Sequence, residues 1–246
     1  MIAIHPLAGI GEISPGDDLA AILADALAEA GLLPVRADDV LVVTQKIVSK
    51  AEGRFVDLAT VTPGAEAEGL AAVTRKDPRL VELVLSEAST VVRAVPNVLI
   101  TRNRHGHVMA NSGIDRSNIG PGGEDRALLL PIDPDASAAA LSRAIGCPVV
   151  ISDSFGRPWR YGVTGVAIGA SGLPSLVDRR GELDRDGRRL EVTQIGLADM
   201  IATAAALATG EGAESVPAVL IRGAAWPAGS SPASALVRPL EEDLFQ

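Results

Sequence analysis

Four consecutive apolar residues, Val40-Leu41-Val42-Val43, follow Asp38-Asp39 and set the reading of this chain. A strand without polar alternation is of the kind buried between layers. Pro148 to Ser152 repeats the pattern and ends at Asp153, and Val216 to Ile221 reads as a further strand. Ile2 to His5 is a short strand entering the Gly9-Ile10-Gly11 turn. Between these runs the period changes. Leu19, Ile22, Leu23, Ala26 and Leu27 share one helical face, with a start at Ser14 to Asp17 and a stop at Gly31. Asp77-Pro78 opens a helix carrying Leu80, Leu83 and Val84, and Asp135 to Ile145 and the alanine-rich Leu197 to Ala208 are also helical. Val98 to Thr101 and His107 to Ala110 form a hairpin around Arg104-His105-Gly106. Leu128 to Leu130 is a short strand, and Val163 to Gly172 is apolar and rich in small residues. Ser49 to Arg54 reads as exposed, Asn111 to Gly123 as a polar loop, and Asp178 to Arg189 as a charged connection between strands. Helices do not follow every strand, so the fold class is α/β of a mixed α+β kind rather than a simple βαβ array. Neither a repeat nor a linker divides it, which makes residues 1–246 one domain.

Composition narrows the function classes. The chain is 47% hydrophobic but only 2% aromatic, so its core is built from Ala, Val, Leu and Ile. A net charge of −9 and few aromatic rings leave no footprint for nucleic acid. Cys147 is the single cysteine, which excludes an intrachain disulfide and a cysteine-rich zinc site. The start Met1-Ile2-Ala3-Ile4-His5-Pro6 is not a leader pattern, and no apolar run is long enough to span a membrane. A cytoplasmic protein without a membrane or nucleic-acid partner is expected.

The candidate chemistry lies just beyond the apolar strands, where open sheets often place ligand sites. Asp115, Asp153 and Glu211 are carboxylates in three such loops. If they converge they form a hard oxygen site for Mg²⁺ or Mn²⁺, and if not they are ordinary surface acids. Lys50 either meets a phosphate as a point charge or is solvated. Arg157 and Arg160 either grip carboxylate or phosphate groups or pair with surface acids. Gly9-Ile10-Gly11 and Gly120-Pro121-Gly122-Gly123 can expose backbone N–H groups to an anion, but neither matches a P-loop. His105-Gly106-His107 has no third histidine nearby and reads as a hairpin tip.

Taken together, several segments resemble one family. Val43 to Arg54 (VTQKIVSKAEGR), Asn111 to Asn118 (NSGIDRSN), Leu129 to Ser137 (LLPIDPDAS), Ile151 to Arg160 (ISDSFGRPWR), Gly210-Glu211-Gly212 and Pro217 to Gly223 are similar, in order, to the coenzyme F420-0:L-glutamate ligases. The resemblance runs from about residue 6 to Phe245. It implies a mixed fold of two intimately joined subdomains in an interlocked homodimer. It also implies a ligase that adds glutamate to F420-0 at the expense of GTP, with small-molecule substrates F420-0, L-glutamate and GTP.

Residue by residue, the resemblance gives Asp115, Asp153 and Glu211 as ligands of divalent cations, Mg²⁺ or Mn²⁺, with K⁺ as a further cation. Ser154 stands where the family commonly has a metal-associated Thr. Lys50 and Asn118 match nucleotide-contacting positions, and Lys50, Asp115 and Asp153 are the catalytic set. Ile10, Gly11, Glu12 and Ile13 correspond to an N-terminal nucleotide-binding turn. Thr209, Gly210, Glu211, Gly212, Ala213, Glu214, Ser215 and Val216 correspond to a C-terminal one. Gln45 and Lys46 fall where relatives place nucleotide contacts, often Ser or Thr. The chain departs from the family at Gly9-Ile10-Gly11, where Gly-Leu-Pro is frequent, at Asp186-Gly187 and at Ala213-Glu214-Ser215. Two other readings use the same residues: a metal-dependent nucleotide phosphohydrolase and a non-catalytic deazaflavin-binding protein.

Overall fold

The computed structural model describes residues 1–120, 123 and 125–243. Pro121 and Gly122 of the candidate glycine loop, and Phe245 at the end of the family resemblance, lie outside the described residues.

Strand β1 (Ala3–Pro6) leads to helix α1 (Leu19–Glu29). Asp18 caps α1 by accepting from the Ala21 N–H, and Leu19, Leu23, Ala26 and Leu27 form its buried stripe. Strand β2 (Asp39–Thr44) runs directly into helix α2 (Gln45–Ala51). Next come β3 (Phe55–Asp57), α3 (Ala65–Thr74) and α4 (Pro78–Glu87), the last capped by Asp77 with proline in its first turn. The meander β4 (Ala88–Val95), β5 (Val98–Asn103), β6 (Val108–Ala110) follows, then β7 (Arg126–Leu128) and α5 (Pro134–Ile145). The chain continues through β8 (Val149–Arg157), β9 (Arg160–Ser171), β10 (Leu176–Asp178), β11 (Gln194–Gly196), α6 (Leu197–Thr209) and β12 (Ala218–Arg222).

A five-stranded sheet in the order β1-β12-β2-β8-β9 carries the site. Only β2 and β8 are parallel; the other neighbours are antiparallel. Side chains alternate across a strand, so an all-apolar β2 must have a core on each face. Leu41 and Val43 pack with α1 and with Ala138 and Leu141 of α5. Val40 and Val42 pack on the other face with Ala198, Ile201, Ala202 and Ala205 of α6. A third core joins α3 and α4 to Leu99, Ile114 and Leu129. The mixed α/β class follows from this layering, and among the described residues no helix is long and apolar enough to cross a membrane.

Three expectations change. Ser49 to Arg54 is not an exposed stretch: α2 begins at Gln45, and Ser49 and Lys50 are buried under the sheet edge. Strand β8 does not end at Asp153 but continues to Arg157, pairing antiparallel with β9, so Asp153 projects from a strand and not a loop. The strand placed at Leu128 to Leu130 lies earlier, at Arg126–Leu128, because it pairs with β3. Helix α3 and strands β3 and β4 were not foreseen at all.

Candidate functional site

The parallel pair β2–β8 directs two chain ends to the same edge of the sheet. Beyond Thr44 the backbone turns at once into α2, placing Gln45, Lys46 and Lys50 there. Beside them Ser152, Asp153 and Ser154 emerge along β8. The N-terminal turn and the loop after α6 close over this edge. Together they bound a cavity of about 530 Å³, well within the size range of small-molecule sites.

Most of the residues singled out in the sequence line it. Ile10, Gly11, Glu12 and Ile13 form one wall, Gln45, Lys46, Lys50 and Asn118 another, and Asp153 with Ser154 the floor. Thr209, Gly210, Glu211, Gly212, Ala213, Ser215 and Val216 form the remaining side. Glu214 is not among the lining residues; its carboxylate turns back to accept from the Gly212 N–H at 2.7 Å. Arg157 and Arg160 are not there either. They stand at the far end of the β8–β9 hairpin, where Arg157 donates to the Tyr161 carbonyl. His107 is buried in the hairpin tip against Phe155, and desolvation pushes its imidazole down to about 4. Sequence reasoning gave no site role to Thr44, Gly165 and Ala206, which also line the cavity; Gly165 and Ala206 carry no functional group that could signal it. It also missed Ser49, whose only signal is its helical spacing of four from Gln45.

Asp115 sits behind the cavity wall, its position set by the backbone. Asn111, Ser112 and Gly113 are successive left-handed residues with φ of 52°, 55° and 80°. The Ser112 hydroxyl is held by Thr101 at 2.8 Å and by the Val84 carbonyl at 3.1 Å. Asp115 then exchanges two 2.9 Å backbone hydrogen bonds with Leu128. Such strained backbone persists only where its surroundings enforce it.

The charges of the cavity are paired across elements. Lys50 Nζ lies 2.6 Å from Glu12 Oε1, and Lys46 Nζ lies 3.0 Å from Asp115 Oδ1. Gln45 Nε2 donates to Asp115 Oδ2, and the Ser154 hydroxyl donates to Glu211 Oε1. Asn118 donates to the Gly212 carbonyl at 3.1 Å, tying two loops together. Three carboxylates therefore share one region. Desolvation raises the pKa of Asp153 to about 7, helped by the charges of Asp115 and Glu211 against the opposing pull of Lys46. Desolvation also raises Asp115, with Glu211 adding to the effect and Lys46 opposing it. The carboxylates are near enough to repel one another. Among the described residues, however, no three acidic, histidine or cysteine side chains form a ready-made cage for a metal ion.

Comparisons with known proteins bear on the same segments. Residues 9–223 match the family model described as F420-0:Gamma-glutamyl ligase. The coenzyme F420:L-glutamate ligase of Methanopyrus kandleri is 42% identical, over 100% of this chain and 98% of its own length. The protein of the same name from Methanothermobacter thermautotrophicus is 41% identical over 100% of this chain and 99% of its own. That of Natronomonas pharaonis is 46% identical over 96% and 90%. The family model spans the strands, turns and loops that build the cavity, and the relatives match nearly end to end: the chain belongs to the F420-0:gamma-glutamyl ligase family.

Proposed function

We propose that this protein joins L-glutamate to F420-0, using GTP and a divalent cation, through an acyl phosphate. The observation that carries the reading is the cavity with its wall, where two lysines and Glu211 meet the desolvated carboxyl of Asp153, with that of Asp115 just behind. Buried like charges are costly unless a cation offsets them. The donors are carboxylate and hydroxyl oxygens, which suit a hard cation and not a soft one. By donor type Asp115, Asp153, Ser154 and Glu211 suit such an ion and would hold it. When bound, Mg²⁺ or Mn²⁺ neutralises charge that builds on a transferring phosphoryl group.

The chain's own groups then act by placement. Lys50 exchanges Glu12 for a phosphate oxygen, and Lys46 exchanges Asp115 for another. A carboxylate oxygen of F420-0 attacks the γ-phosphorus, the bond from that phosphorus to the bridging oxygen breaks, and GDP departs. The α-amine of L-glutamate attacks the carbonyl carbon of the acyl phosphate. The carbon–oxygen bond to phosphate breaks, the amine loses a proton, and inorganic phosphate leaves with the amide formed. The closing of the Ile10–Ile13 turn and the 209–216 loop over the floor serves to keep water from the acyl phosphate.

Mass spectrometry of F420-0 incubated with the protein, L-glutamate, GTP and Mn²⁺ tests this directly. The expected result is addition of glutamyl units that requires both nucleotide and metal. GTP consumed without addition would favour a phosphohydrolase. Binding of F420-0 with neither substrate changed would leave a deazaflavin-binding protein.

The proposal extends to a homodimer. Trp159, Tyr161 and Val163 at the end of the β8–β9 hairpin, and Met200 and Leu207 on α6, are large apolar side chains left exposed. A second copy of the chain would cover them. Light scattering should give twice the 25.3 kDa mass of the chain at micromolar concentration, and a mass of one chain would rule the dimer out.

A further inference from the structure

We propose that Gln45 is a positioning residue for Asp115, held in turn by Ser49, and not primarily a contact for the nucleotide; the inference rests on the ligase reading above. Gln45 lies at the start of α2 and is 1% exposed. Both ends of its amide are engaged. Nε2 donates to Asp115 Oδ2, and Oε1 accepts from the Ser49 hydroxyl at 2.9 Å, one helical turn further on. The orientation of the amide follows from chemistry. The Lys46 ammonium pairs with Asp115 Oδ1, and a carboxylate in such a pair only accepts, so Gln45 presents its NH₂ group to Asp115 and leaves its carbonyl for a donor. Ser49, fully buried beneath it, is that donor.

Asp115 has a second partner, and the contrast between the two decides their roles. Lys46 reaches Asp115 Oδ1 with a side chain 29% exposed on the cavity wall. A flexible ammonium facing the cavity is free to leave for an incoming anion. Gln45 is neutral, buried and tied at both ends, so an anion has no comparable pull on it. When Lys46 turns to a phosphate, Oδ1 is released for a cation while Oδ2 stays anchored. Gln45 thus holds the carboxylate in place while its other oxygen changes partner. A partner that orients a metal-binding carboxylate in this way typically contributes 10–100-fold to affinity or activity.

The test compares wild type, Q45A and S49A by counting free Mn²⁺ with electron paramagnetic resonance, by GDP affinity in the absence of metal, and by kcat and KM. Thermal melts establish that each variant is folded. The expected result for Q45A is Mn²⁺ affinity and kcat each lowered by about tenfold or more, with metal-free GDP affinity and the KM for GTP within about twofold of wild type, a factor too small to signal a lost contact. S49A should shift the same quantities in the same direction by less, since it loosens Gln45 without removing it. Weakened GDP binding in Q45A with Mn²⁺ affinity intact would overturn the proposal and make Gln45 a nucleotide contact. Equal Mn²⁺ affinity in all three proteins would overturn it as well. Failure of the ligase reading shows separately, in wild-type protein that binds no Mn²⁺ and forms no amide, and it would remove the role assigned to Gln45.

Discussion

Asp153→Asn is expected to cut turnover by about 100-fold or more and, in the same protein, to make the metal-free fold more stable at pH 8. The carboxyl of Asp153 has its pKa raised to about 7 by desolvation and by the charge of Asp115, against 3.8 for the unperturbed group. Between those two values the folded protein binds a proton at this site that the unfolded chain does not. Stability therefore falls as pH rises through the interval, and the full penalty is present above pH 7. At 1.36 kcal/mol per unit of pKa a shift of this size corresponds to a penalty on the order of 4 kcal/mol. Asparagine has nearly the same shape and no charge, so it avoids this loss. Urea denaturation with a chelator present should show the variant ahead at pH 8, with the gap closing toward pH 4. In the presence of metal its turnover should fall by about 100-fold or more, since on the proposed mechanism a group that would fix the charge-neutralising cation is gone. A variant no more stable than wild type at pH 8 would mean that the ionised carboxylate costs the fold nothing. Near-normal turnover would remove Asp153 from the chemistry.

This opposition between stability and chemistry also separates what the sequence makes legible from what it does not. Val40 to Val43 announces a doubly covered strand because apolar burial is written residue by residue. Asp18 and Asp77 announce helix starts because a cap is a local hydrogen bond. Helix α2 has no such mark: it begins straight from β2, and Thr44 makes no side-chain cap bond. Its buried Lys50 looks like a solvated lysine until Glu12, thirty-eight residues away, is seen beside it. Helix α3 escapes because Ala, Glu and Gly69 give it little apolar periodicity, and β4 because none of its residues is buried, on either face. The three carboxylates could be picked out one at a time, since each follows an apolar run or a glycine. Their meeting depends on the parallel pairing of β2 with β8 and on the left-handed turn at Asn111 and Ser112, both products of tertiary packing. The family resemblance supplies that information from outside the chain's own periodicities.

Gly169→Ala should destabilise the fold sharply although it adds one methyl group to an ordinary strand conformation. Gly169 pairs with Ile151 in the β8–β9 ladder, and a Cβ there would lie 2.3 Å from the Pro134 carbonyl oxygen and 2.5 Å from its carbon. Those are backbone atoms in the first turn of α5 and cannot swing aside. The helix is also pinned: Asp135 accepts from the Ala170 N–H at 2.9 Å and from the Ala233 N–H at 2.7 Å. Relieving the clash means lifting α5 from the sheet, loosening both bonds and opening the core that Ala138 and Leu141 share with Leu41 and Val43. Overpacking of this kind costs about 1–3 kcal/mol or more. Gly156→Ala on the same hairpin is the matched control, because a Cβ there meets nothing within 4 Å. The control should melt with wild type in urea while Gly169→Ala melts at a clearly lower midpoint. Equal midpoints for the two variants would show that α5 yields to the extra methyl, and that the close approach of helix to strand is not what holds this face of the sheet together.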